Sequence, residues 1–119
     1  MLLIFRHPEL SYNETETAAW IVEQLKSYGI DEVHTGIART GVVGVIRGAS
    51  EHPCLALRAD MDALPLQETG DLEFKSQNDG VMHACGHDGH MSILLGAAKV
   101  LASKKADMKV RRLGAAQAY

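Results

Sequence analysis

The residues best suited to chemistry lie in one short stretch, residues 82–90, with the sequence MHACGHDGH. Thiolate and imidazole are good ligands for zinc and similar divalent ions. Gly86 would leave the backbone free to bend Cys85 and His87 onto one ion. The stretch therefore predicts a metal site, although a histidine-rich surface turn with a buried cysteine would have the same composition. The candidate donors within it are His83, Cys85, His87, Asp88 and His90.

A second group of candidate residues consists of two acids, Asp60 and Asp62, which follow the apolar run 54–59. Ligands of α/β sheets collect at the carboxyl ends of strands. Side chains two residues apart in an extended segment point to the same side. The two acids could therefore orient a ligand histidine or bind a metal themselves. The alternative is a strand that runs into a polar turn, with Pro65 marking the break.

The elements that must position these residues follow from hydrophobic periodicity, and they indicate a layered α/β core. Ser11 and Glu14 have capping-box spacing ahead of the first long helix, and Gly29 stops its pattern. The continuous apolar character of 54–59 predicts a strand covered on both faces, with Cys54 as an inert core residue. The predicted elements are a helix over 13–28, strands at 33–35, 41–47 and 54–59, a surface loop over 70–80 and a buried helix over 89–103.

The composition excludes several classes of protein. The chain has 119 residues, 46% hydrophobic and 23% charged, with a net charge of -3, so we expect a globular domain that does not bind nucleic acid. The apolar start, residues 1–5, is too short for a signal sequence or a membrane span. We therefore expect a cytoplasmic protein without a membrane partner. Two cysteines do not make a disulfide framework.

Four motifs, in this order and spacing, resemble the metallopeptidase family that includes hippurate hydrolases, aminoacylases, plant auxin-conjugate hydrolases and acetyl-diaminopimelate deacetylases. The resemblance covers about residues 6–108, and the motif around Cys85 is its most specific part. The motifs are HPELS at 7–11, RTGVVG at 39–44, LRADMDALP at 57–65 and MHACGHDGH at 82–90.

The resemblance implies the layered α/β/α catalytic domain of a zinc-peptidase-like fold, truncated after about the first half of its N-terminal segment. Cys85 and His87 match two ligands of a dinuclear site that holds Mn²⁺ or Zn²⁺ in relatives. Asp62 matches the catalytic-site aspartate near the metals. Asp60 falls where more distant relatives carry a metal-binding histidine, so its role stays open, as does that of His90.

The reaction implied by the resemblance is hydrolysis of the amide bond in small N-acyl amino acids. Two ions acidify a water molecule and stabilise the oxyanion, while a glutamate carries the proton to the leaving nitrogen. Full-length relatives are often homodimers, and their dimerisation uses a smaller lid domain.

The sequence departs from this pattern after the predicted buried helix. No glutamate follows Glu73, so the family's paired-glutamate motif is missing. We expect residues 1–108 to be the N-terminal part of the catalytic domain, 109–119 to be an atypical small-residue tail of low strand propensity, and the lid domain to be absent. Such a fragment is expected to be inactive.

Two alternatives stay open. One is a non-catalytic fragment that binds a divalent metal. The other, less favoured, is a hydrolase that uses Cys85 as nucleophile with a neighbouring histidine as base. The candidate bases are His83, His87 and His90.

Overall fold

The computed structural model of the chain describes residues 2–50, 53–110 and 112–117, with side chains for 4–50 and 53–110. None of the described helices is long and apolar enough to cross a membrane. The elements in chain order are α1 (Leu2–Arg6), α2 (Thr15–Ser27), β1 (Glu32–Ile37), β2 (Gly41–Arg47), β3 (Cys54–Ala59), α3 (His87–Ser103), a short 3-10 turn (Lys105–Asp107) and β4 (Arg112–Gln117).

The four strands form one mixed sheet in the order β1-β2-β4-β3. The β1–β2 and β2–β4 pairs are antiparallel, whereas β3 and β4 are parallel. Helices α2 and α3 pack side by side against this sheet, and their apolar faces meet β2 in one core. The layered α/β architecture expected from the sequence is therefore confirmed. The core is built from Ile21, Leu25, Val42, Met91, Leu95 and Ala98.

The start of α2 differs from the expected capping box. Glu14 occupies the N-cap position, but its side chain makes no cap hydrogen bond. Instead the Glu9 carboxylate accepts hydrogen bonds from the backbone N–H groups of Glu16 and Thr17 at 3.2 and 2.8 Å, and from Thr15 Oγ1 at 3.3 Å. An acid at a helix N-terminus satisfies free donors and complements the helix dipole. The helix thus begins at Thr15, later than residue 13.

The prediction that 54–59 is a strand is confirmed, but the prediction that it is covered on both faces is wrong. Among the described residues β3 pairs only with β4, and most of its side chains are exposed. Leu55 is 53% exposed, and Cys54 is exposed too, so it is not a core residue. An apolar sequence favours burial of the strand, but whether each face of the strand is buried depends on which elements pack against it.

The segment expected to have low strand propensity contains a strand. Residues 112–117 form β4, which lies between β2 and β3 and pairs with both along its length. Hydrogen bonding to both neighbouring strands stabilises β4, although its small residues have little intrinsic preference for the extended conformation. Residues 112–117 therefore form a strand despite their low intrinsic strand propensity. Arg111, Ala118 and Tyr119 lie outside the described residues.

Candidate metal centre

Asp62 is held by core residues on either side of it. Met61 is fully buried and Ala63 is 4% exposed, so the backbone that carries Asp62 is anchored in the interior. The Ala63 N–H also donates to the Glu9 carbonyl at 2.8 Å. Glu9 therefore supports the site through its carbonyl and α2 through its carboxylate. The sequence showed this residue only as part of the HPELS motif, and its one local signal was an acid ahead of a helix.

A long loop between Asp62 and the 82–90 motif is closed at its base. Leu64 and Met82 exchange backbone hydrogen bonds of 2.9 and 3.0 Å, which bring the two chemically interesting stretches together. The motif then turns at Gly86, whose φ of 76° is a left-handed conformation that glycine adopts without strain. Helix α3 begins at the next residue, His87.

The closed loop places His87 against Asp62. Nδ1 of His87 lies 2.8 Å from Asp62 Oδ1 and 3.1 Å from the Asp62 carbonyl oxygen. Both partners can only accept, so the ring donates a proton from Nδ1, and in the neutral imidazole Nε2 then carries the lone pair. The side chains are 20% and 17% exposed, which shields the bond from water. A carboxylate that orients an imidazole in this way is the usual support of a metal-ligating histidine.

Cys85, the second predicted ligand, is exposed at the turn before α3. None of the hydrogen bonds among the described residues involves its thiol. A cysteine nucleophile needs a base within hydrogen-bond reach. The geometry therefore gives no support to a cysteine hydrolase, and it leaves the thiol accessible to an ion.

The described residues do not complete a metal site by themselves. Among them, no group of three or more His, Cys, Asp and Glu side chains is arranged to hold a metal ion. A catalytic zinc ion takes three protein ligands. Cys85 and His87 can therefore supply at most part of a site.

The other candidate residues lie around this pair. Asp60 forms an ion pair with Arg58 at 2.6 Å, so its carboxylate is paired with Arg58 and not with His87. Burial lowers the pKa of His83, an effect that the nearby Asp88 carboxylate opposes. The ring of His90 is exposed, with its centroid 5.9 Å from that of His87.

Comparison with known proteins finds a family whose model covers the motifs at 57–65 and 82–90. Residues 56–113 match the model of peptidase family M20/M25/M40. The chain is 53% identical to thermostable carboxypeptidase 2 of Saccharolobus solfataricus over 103 residues, which is 86% of this chain and 26% of the relative. It is 52% identical to hippurate hydrolase of Campylobacter jejuni over 101 residues, which is 85% of this chain and 26% of that protein.

A solved structure agrees in fold. The Bacillus subtilis YXEP protein, described as a dinuclear metal binding peptidase of the M20 family, superimposes with a TM-score of 0.91 at 39% identity. The match covers 98% of this chain and 32% of that one. The chain thus spans about a quarter of the length of the curated relatives it matches. Its ordered motifs and its sheet are similar to those of peptidase family M20/M25/M40, whose model matches residues 56–113.

Proposed function

We propose that this chain contributes part of a dinuclear metal site that hydrolyses the amide bond of N-acyl amino acids. Cys85 and His87 would each be a metal ligand, and Asp62 would position His87. The observation that carries the proposal is the 2.8 Å bond between Asp62 and His87, which presents a free imidazole nitrogen. The similarity to a hippurate hydrolase supports this substrate class, because hippurate is an N-acylated glycine.

The residues present fit a divalent ion of intermediate softness. An oriented imidazole and an accessible thiol are donors that zinc binds well, while Mn²⁺ prefers oxygen donors that other ligands would have to supply. When bound, the two ions would polarise the amide carbonyl and acidify a water molecule.

The chain's own residues prepare the site for that chemistry. Asp62 keeps the His87 proton on Nδ1, so that Nε2 remains a donor for the ion. Buried Met61 fixes the position of the Asp62 backbone, and the turn at Gly86 sets the start of α3. These contacts organise the imidazole before any ion arrives, which lowers the ordering cost of binding.

We further propose that residues 1–108 correspond to the N-terminal part of the family's catalytic domain, and that the chain alone binds metal without rapid turnover. The support is that no group of three or more His, Cys, Asp and Glu side chains among the described residues is arranged to hold a metal ion, and that no glutamate follows Glu73 to act as the base. The same observation favours the second candidate function, a metal-binding chain that does not catalyse hydrolysis.

Calorimetric titration of the 119-residue chain with Zn²⁺ and Mn²⁺ tests the proposal. We expect one class of site that is lost in Cys85→Ala and in His87→Ala. The matched controls are Cys54→Ala and His34→Ala, which remove an exposed thiol and an exposed imidazole elsewhere in the sheet. Metal affinity that is the same in all four variants would overturn the proposal.

Hydrolysis of hippurate by the metal-loaded chain then tests the proposal that the chain alone does not turn over. Metal binding without turnover is the result expected under both candidate functions. Turnover that stops on chelation would contradict that expectation and show that the chain is itself a metalloenzyme. Turnover that survives chelation would favour a thiol mechanism and contradict both.

A further inference from the structure

His90 is the one histidine of the 82–90 stretch whose side chain is exposed to solvent. It lies three residues after His87 on α3, and the two rings are 5.9 Å apart between centroids, with planes inclined at 33°. Its side chain makes no hydrogen bond or ion pair with any described residue. The imidazole therefore keeps at least one N–H donor available in either tautomer.

The His90 ring lines a groove of about 430 Å³ between β3 and α3. Apolar side chains form most of its walls, and Ile93 is 72% exposed there. Arg58 lines the same groove, but its guanidinium is 2.6 Å from the Asp60 carboxylate. His90 is thus the polar side chain of the groove that has no partner among the described residues. The other lining residues are Leu57, Ala59, Leu94 and Ala97.

The chemistry of an N-acyl amino acid fits this arrangement. Its free carboxylate is three covalent bonds from the carbonyl carbon of the amide. If that carbonyl lies beside the ion held by His87, a carboxylate can reach His90, which is one helical turn further along α3. The amino-acid side chain would then lie along the apolar wall that contains Ile93.

Resting on the proposed function, we infer that His90 is a substrate-binding residue that donates a hydrogen bond to the free carboxylate of the amino-acid half of the substrate. The adjoining groove selects apolar amino-acid side chains. Recognition of this kind requires no change in the protonation of His90, because a neutral imidazole already carries one donor.

The test compares binding of N-acetyl-L-leucine and N-acetyl-L-leucinamide to the Zn²⁺-loaded 119-residue chain, measured by calorimetry. The two probes differ only in the carboxylate. We expect the acid to bind roughly tenfold more tightly than the amide, because only the acid can accept a charge-assisted hydrogen bond from His90. His90→Ala should abolish that preference, while His90→Gln, which keeps an N–H donor, should retain part of it. The matched control His34→Ala should leave it unchanged.

The groove is tested by a second pair of probes. Ile93→Ala should weaken the binding of N-acetyl-L-leucine several-fold and leave that of N-acetylglycine unchanged, since the lost contact is apolar. An acid preference that survives in His90→Ala would overturn the inference. So would a Zn²⁺-loaded chain that binds neither the acid nor the amide, and in that case the proposed metal site would still stand. Failure of the wild-type chain to bind Zn²⁺ would instead remove the proposed function and this inference together.

Discussion

The Asp62 carboxylate accepts a hydrogen bond of 2.8 Å from Nδ1 of His87, a residue 25 positions later in the chain. This bond joins the segment after β3 to the start of α3, and it requires a proton on Nδ1 of the imidazole. It also gives the candidate site a degree of order before a metal is present. The consequences of breaking it, and of disturbing the elements that support it, can be measured.

Replacing Asp62 with asparagine should weaken Zn²⁺ binding. The neutral amide can still accept a hydrogen bond, but it no longer increases the basicity of the imidazole, and loss of such a partner typically costs about 10- to 100-fold in metal affinity. Calorimetric titration measures the change, with Asp71→Asn in the exposed loop as the control. An Asp62→Asn variant with wild-type affinity would show that His87 does not depend on this carboxylate.

Replacing Glu9 with alanine should destabilise the chain through α2. The carboxylate satisfies three donors at the start of that helix, and loss of a capping side chain costs about 0.5–2 kcal/mol. Urea denaturation followed by circular dichroism gives the free energy of unfolding. The control is Glu23→Ala, an exposed position further along the same helix, which should have little effect. Equal losses in the two variants would argue against a capping role.

Gly48 should not tolerate a side chain. A Cβ atom at this position would lie 2.2 Å from the Val110 carbonyl oxygen and 3.0 Å from that of Met108, so the backbone itself would have to move. The neighbouring Ala49 N–H donates to the Met108 carbonyl at 3.0 Å, and this bond would be disturbed too. We expect Gly48→Ala to lower the free energy of unfolding by about 1–3 kcal/mol.

Gly70→Ala is the matched control for Gly48→Ala. Its Cβ would meet its nearest neighbours at 3.9 and 4.0 Å, which is ordinary van der Waals contact. Thermal denaturation of the two variants side by side distinguishes a local steric effect from a general cost of replacing glycine. Identical melting temperatures would show that residues 108–110 do not pack against Gly48 in solution.

Asp31 should make the stability of the chain depend on pH in the acid range. A hydrogen bond from Lys105 Nζ, at 2.8 Å, and a second from the Arg47 backbone N–H lower the pKa of Asp31 below its ordinary value of 3.8. Because the folded pKa is the lower one, ionised Asp31 stabilises the folded chain above pH 3.8. This contribution is lost as the pH falls through the folded pKa.

The variant Asp31→Asn should therefore be less stable than the wild-type chain at neutral pH, and the difference should shrink as the pH is lowered below 3.8. Thermal unfolding at a series of pH values measures this, and added salt should reduce the difference because the pair lies at the surface. A difference that stays constant down to the acid limit would mean that Asp31 does not act through its charge.

Much of the fold could be predicted from the sequence because the signals are local. The apolar repeat of α2, with Gly29 beyond its end, predicts a helix in the right place to within two residues. The bounds of β2 and β3 also agree with the predicted strands, since glycine, proline and β-branched residues act within a few positions. Glu9 was not predicted as the cap of α2, because its contact with Thr17 crosses a turn that the capping-box pattern does not describe.

The sequence by itself determined the resemblance to the family, the order of the motifs and the types of donor available at Cys85 and His87. Only the tertiary structure decided which acid meets the histidine: Asp62 bonds to His87, whereas Asp60 pairs with Arg58. The two acids have the same chemistry and nearly the same position, so no local pattern separates them. The choice depends on the closed loop and on the burial of Met61, which turn one carboxylate toward α3. Similarly, Cys54 is exposed because little packs against its side of β3. The residues of β3 do not by themselves specify which elements pack on the strand.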